Sequence, residues 1–132
     1  KVFLTGRQDN IYPFLRVSDC FLLTSLWEGF PNVLLEAAAS GLYIISTDCR
    51  TGPREILAPE IDINQTVQYS YRAHGGSLLA DFAKINSNKK RNELLCQEML
   101  WYANKQKYNN VATLGERFHS SQIVTKWILR LA

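Results

Sequence analysis

Two runs, CFLLTS (20–25) and LYIISTD (42–48), constrain this chain most. Each is apolar over strand length without alternating, as a strand buried on both faces requires. Between them lies Asn32–Ala39, apolar and alanine-rich, with the length and character of a helix. Buried strands separated by helix-length crossovers define an α/β fold: a Rossmann-like parallel sheet with flanking helices and right-handed connections.

The rest of the chain fits that frame. KVFLTG is a short apolar run closed by a glycine, and is expected to add a third parallel strand at Val2–Leu4. NIYPFLRVSD reads as a short helix capped by Asp9 or Asn10, with Leu15 and Val17 facing inward. GPREIL has the proline near its start that suits a first helical turn. Ala58 to Gly76 is polar and irregular in pattern, and GGSLLAD is expected to form a short edge strand. A long helix carries Leu94, Leu95, Met99 and Tyr102 at helical spacing, and a last one carries Ile123, Trp127 and Leu131.

Composition excludes several classes. With 132 residues, 46% of them hydrophobic, the chain can bury one core, and residues 1–132 are read as one domain. A net charge of +3 with scattered Lys and Arg argues against nucleic acid as a partner. The run Lys89, Lys90, Arg91 reads as the solvated start of a helix. No apolar stretch reaches the roughly 18 residues of a membrane span, and no signal peptide is read in these residues, whose abrupt start leads us to expect a preceding segment. Three unpaired cysteines, Cys20, Cys49 and Cys96, suit a reducing compartment. No acid or histidine cluster suggests a metal, and His74 and His119 have no ligand-like neighbours.

The loops expected at the carboxyl ends of the strands are Gly6–Asn10, Ser25–Asn32 and Thr47–Arg54, where parallel sheets bind ligands. The middle one holds WEGFPNVLLEAAASG. A helix starting near Asn32 leaves the amides of Asn32, Val33 and Leu34 without helical acceptors, at the positive end of the helix dipole. Gly29 lets a ligand approach the backbone, and the pair suits a phosphate or diphosphate. Glu36, one turn in, can accept hydrogen bonds from a ribose diol. Glu28, across the turn, can hold sugar hydroxyls or stabilise positive charge. The same residues have a plainer reading: an acid favoured by a helix dipole, a simple turn, and alanines for close helix packing.

SLWEGFPNVLLEAAASG resembles the E-x7-E signature of retaining glycosyltransferases with the two-domain GT-B fold, in the glycosyl transferases group 1. VFLTG, VSDCFLLTSLWEGFPN and GLYIISTDCRTGPREIL resemble three blocks of that family in order, without gaps from Lys1 to about Leu57. The resemblance implies the carboxyl-terminal, donor-binding domain, with a basic Arg and Lys pair and the first strands lying before Lys1. It assigns Glu36 to the ribose, and Glu28 with the backbone of Gly29 and Phe30 to the donor sugar. It assigns the amides of Asn32, Val33 and Leu34 to the diphosphate, and the backbone around Gly6, Arg7 and Gln8 to the base. It implies a nucleoside-diphosphate sugar, commonly of uridine, as donor, with no cofactor and no metal. The acceptor would be a saccharide or lipid-linked, held mainly by the other domain. It further implies a cytoplasmic enzyme of bacterial surface-polysaccharide or glycolipid synthesis, at the inner face of the membrane. An isolated chain would be inactive, with a sheet edge open to self-association. Two other readings are a non-catalytic sugar-nucleotide-binding domain and another GT-B enzyme such as an epimerase or phosphorylase.

Overall fold

The computed structural model describes residues 1–65, 67, 69–73 and 75–106. The expected last helix with Ile123, Trp127 and Leu131, and both histidines, lie outside the described residues.

Helix α1 (Tyr12–Arg16) leads into strand β1 (Cys20–Leu23), helix α2 (Asn32–Ala39) and strand β2 (Tyr43–Thr47). Then come α3 (Gly52–Leu57), β3 (Tyr71–Ala73), β4 (Gly76–Leu79), a short 3-10 turn (Phe82–Lys84) and α4 (Asn88–Gln106). The sheet has the order β1-β2-β4-β3. β1 and β4 both run parallel to β2, and β3 is antiparallel to β4. The molecule is therefore α/β, with a mostly parallel open sheet of Rossmann type.

Alternation along the strands divides the core in two. Ile44 and Leu78 face Leu34, Ala37, Ala38, Ile56 and Leu57 of α2 and α3. Their neighbours Tyr43, Ile45 and Leu79 face Phe82 and Tyr102 on the side of α4. β2 is buried along its whole length because both of its faces are covered. Each fully buried Leu or Ile contributes about 1.5–3 kcal/mol. Ala37 and Ala38 are wholly buried, and their small side chains let α2 approach the sheet closely.

Several expectations are corrected. Val2–Leu4 is not a strand; it is exposed and irregular. A strand exists only through ladder bonds to a neighbour, and no described strand lies beside this segment. Having lost that strand, Gly6–Asn10 does not sit at a strand end. β1 is only half-buried, with Leu22 exposed, because it pairs on one side alone. GSLL is not an edge strand: β4 is fully buried between β2 and β3. Gly76 is needed there, since a Cβ would lie 2.6 Å from the Ile44 carbonyl oxygen on β2. Val17, expected to face inward, is exposed one residue beyond the end of α1, whereas Leu15 is buried. The cap position of α1 is Ile11, with no side-chain cap bond, and not Asp9 or Asn10 as expected; Asn10, one residue earlier, accepts from the Tyr12 amide at 3.1 Å. Met99 is also largely exposed, and the buried positions of α4 are Glu98 and Tyr102.

Candidate functional site

The turn from Leu26 to Pro31 follows the carboxyl end of β1 and feeds directly into α2. Pro31 sits at the N-cap and offers no side-chain acceptor, and the first turn of α2 holds no acid. The Leu34 amide bonds back to the Pro31 carbonyl at 3.0 Å. Of the three amides expected to meet an anion, this one is thus already engaged. Asn32 and Val33 begin the helix, where no helical carbonyl lies four residues back.

The two acids flank this helix start. Glu28 Oε1 accepts from the Ser25 hydroxyl at 2.6 Å. Ser25 is itself anchored, its carbonyl accepting from the Thr47 hydroxyl at 2.6 Å at the end of β2. Glu28 is therefore oriented through one oxygen, and Oε2 has no partner among the described residues. Glu36 is half-buried on α2, and its carboxylate likewise has none. A Cβ on Gly29 would meet nothing within 4 Å, so packing within the chain does not demand glycine there.

The next loop supports the turn from behind. The Thr51 amide donates to the Glu28 carbonyl at 3.2 Å, and the Gly52 amide to the Gly29 carbonyl at 2.9 Å. The Thr51 hydroxyl reaches the Gly29 carbonyl at 3.5 Å. A Cβ on Gly52 would stand 2.3 Å from Pro31 Cδ and 2.6 Å from the Gly29 oxygen. Ser25, Thr47, Thr51 and Gly52 are the members of this site that sequence reasoning did not pick out. Their signal was their place in the Ser25–Asn32 and Thr47–Arg54 loops expected at the strand ends, while the glycine of TGPRE read only as a helix start.

The structure thus brings Glu28, Gly29, Phe30, Asn32, Val33, Leu34 and Glu36 into one continuous turn and helix. Gly6, Arg7 and Gln8 stand apart in a fully exposed segment with local side-chain bonds. Arg7 pairs with Asp9 at 3.8 Å, Gln8 Nε2 donates to the Thr5 carbonyl at 2.7 Å, and Gly6 takes a left-handed φ of 65°. Cys49, buried behind the loop, is held above the ordinary thiol range chiefly by that burial, which makes it a poor nucleophile.

A helix with an uncapped start beyond the end of a parallel strand, in a mostly parallel open sheet, marks an α/β protein of the Rossmann kind. Residues 1–71 match the glycosyl transferases group 1 model, and the chain belongs to that family. An uncharacterised glycosyltransferase of Methanocaldococcus jannaschii is 35% identical over 140 residues, covering 97% of this chain and 34% of that protein. The lipopolysaccharide 1,6-galactosyltransferase of Salmonella typhimurium is 51% identical over 41 residues, covering 31% of this chain and 11% of that one. A Campylobacter jejuni N-acetylgalactosaminyltransferase, whose name specifies a diphospho-undecaprenol-linked acceptor, is 35% identical over 60 residues, 46% of this chain and 16% of its own. The chain spans about a third of the length of the archaeal relative and less of the other two. No solved structure matches the chain significantly. No described helix is long and apolar enough to cross a membrane.

Proposed function

We propose that these residues form the nucleotide-sugar half of a retaining glycosyltransferase that builds a surface polysaccharide or glycolipid from a UDP-sugar. The observation that carries the reading is the uncapped start of α2 with an acid on either side of it in the chain: Glu28, oriented by the Ser25 hydroxyl, before the turn, and Glu36 one turn in. The names of the lipopolysaccharide and undecaprenol-linked relatives support the acceptor class.

In this reading Glu36 takes the ribose hydroxyls and the Asn32 and Val33 amides face the diphosphate. The bond from the anomeric carbon to the diphosphate oxygen breaks, and its electron pair leaves with the phosphate. The acceptor oxygen bonds to the same face of that carbon, and its proton passes to the departing phosphate oxygen. Charge grows on both sides of the breaking bond, so groups already oriented there act most strongly. Glu28, steadied by Ser25, faces the positive sugar.

The test uses the full-length protein containing these residues, with UDP-, GDP- and ADP-sugars. Glu36→Ala is expected to weaken donor binding by about 10- to 150-fold, the loss of charge-assisted hydrogen bonds worth about 1.5–3 kcal/mol. Glu28→Ala is expected to lower turnover more than donor affinity, since its contact strengthens as charge develops. Normal donor affinity and normal turnover in both variants, with unchanged melting, would overturn the reading. Donor binding without any transfer would leave a sugar-nucleotide-binding domain.

A further inference from the structure

We propose that Ser25 and Thr47 are positioning residues for the transfer: two hydroxyls in series, running from the end of β2 to Glu28, that act on turnover only through that carboxylate. This rests on the donor reading above.

The relay begins where the β1–β2 ladder stops. Those strands pair as far as Leu23 and Ser46. Thr47, the next residue of β2, is wholly buried, and its side chain continues what the backbone ladder no longer does. Its hydroxyl donates to the Ser25 carbonyl at 2.6 Å. A hydroxyl has one proton to give, and Thr47 gives it to this oxygen. The Ser25 main chain, two residues past the end of β1, is thereby fixed to a strand buried along its whole length.

Ser25 passes that constraint on to the acid. Its hydroxyl donates to Glu28 Oε1 at 2.6 Å, the length proper to a hydroxyl on a carboxylate. Glu28 is held at its backbone as well, its carbonyl accepting from the Thr51 amide at 3.2 Å. With the main chain and Oε1 both fixed, the direction in which Oε2 is offered is set before any ligand arrives. An acid that must meet charge present only in the transition state gains most from this, because nothing has to turn as the charge develops.

Two plainer roles make different predictions. Ser-x-x-Glu is the spacing of a capping box. Yet no helix begins at Ser25: the next starts at Asn32, with Pro31 at its cap position. A capping serine also accepts from a backbone amide, whereas the Ser25 hydroxyl donates to the acid. The other role is stability alone. It requires the loss of Ser25 to slow the enzyme equally whether or not Glu28 is present.

The experiment follows release of nucleoside diphosphate by the full-length protein from UDP-glucose, UDP-galactose and GDP-mannose, with water as acceptor. The water oxygen bonds to the anomeric carbon as the bond to the diphosphate breaks, and its proton goes to the departing phosphate. Ser25→Ala is expected to lower kcat by about tenfold, the loss of one hydrogen bond to a charged group. The KM for the donor should change by less than about threefold, since donor binding is assigned to other groups. Ser25→Thr, which keeps the hydroxyl, should restore most of the rate. Thr47→Val, which keeps the branched shape and loses the hydroxyl, should lower kcat by about threefold, and Thr47→Ser should restore it.

The decisive arm places Ser25→Ala on Glu28→Ala. A residue that acts through Glu28 adds no loss once Glu28 is gone, so the double variant should match Glu28→Ala in kcat. The same loss from Ser25→Ala with and without Glu28 overturns the proposal, as does a full rate in Ser25→Ala. In both of those outcomes Glu28→Ala is still slow and the donor reading stands. A normal kcat in Glu28→Ala, or no release from any donor by the unaltered protein, overturns the donor reading and this proposal with it.

Discussion

Glu98 is the charged side chain most completely withdrawn from water among the described residues, at 2% exposure. It reaches from α4 to the sheet and accepts from Arg72 Nε at 2.8 Å and Nη2 at 3.0 Å. The Ser77 hydroxyl, at 2.7 Å, and the Ser70 hydroxyl complete its shell, and Ser77 also meets the Tyr43 hydroxyl at 2.6 Å. The Arg72 guanidinium lies 3.9 Å over the Trp101 ring. Burial pushes the Glu98 carboxyl upward, and the hydrogen bonds from Arg72, Ser70 and Ser77 outweigh it, holding it below the ordinary 4.5. The folded chain therefore binds fewer protons here than the unfolded one. The stabilisation is complete above pH 4.5 and is lost as pH falls through the lower folded value. The melting temperature should drop in that acid window, and Glu98→Gln should flatten that part of the profile. A profile identical to that of the unaltered chain would refute the assignment. Glu98→Ala should cost about 2–4 kcal/mol at neutral pH, because it leaves Arg72 and Ser77 without their acceptor. None of this was legible in NELLCQEMLW, where an acid between helical apolar positions reads as solvated. Its partners lie 21 or more residues away in the chain.

At the scale of elements, runs whose residues settle their own surroundings were readable. YIIST is buried on both faces as its composition requires, and Asn32–Ala39 is a helix with the bounds its pattern suggests. What failed was neighbour assignment. Val2–Leu4 has strand chemistry and no strand beside it among the described residues, and GSLL looked like an edge yet lies inside the sheet. Periodicity reports which face is buried and carries no information about which strand lies alongside. The turn before α2 was legible because its groups are contiguous in sequence. Its brace was not, since Thr51 and Gly52 arrive from the following loop. That brace gives a prediction. Gly52→Ala puts a methyl group against Pro31 and the backbone of Gly29 and Phe30, atoms that cannot rotate away. It should destabilise by about 1–3 kcal/mol and displace the turn. Thermal melts with donor titrations of the full-length protein check both effects. Normal stability and affinity would mean the two loops separate freely.

For the whole molecule, the unequal edges of the sheet matter most. β1 pairs with β2 alone, and its outer side has no described partner. Beside it lies a mostly apolar groove lined in part by Cys20, Leu22, Met99 and Tyr102. An unpaired, half-buried strand next to apolar surface invites another strand. A 1–132 chain in solution is expected to associate as its concentration rises, and Leu22→Lys to suppress this without unfolding it. Sedimentation velocity over a hundredfold concentration range checks it, and an unaltered chain that stays monomeric throughout would sink the idea.

The opposite edge, β3, is three residues long, and its Arg72 is committed to Glu98. This inequality sets the symmetry of any assembly. Contact of β1 with β3 of another copy would be head-to-tail and could repeat without end as a filament. Contact of β1 with β1 is self-complementary: a two-fold axis joins the strands antiparallel and uses up both open edges at once. With β3 too short to template a ladder, only the second arrangement is well supported, and growth of the sheet stops at a closed pair of copies.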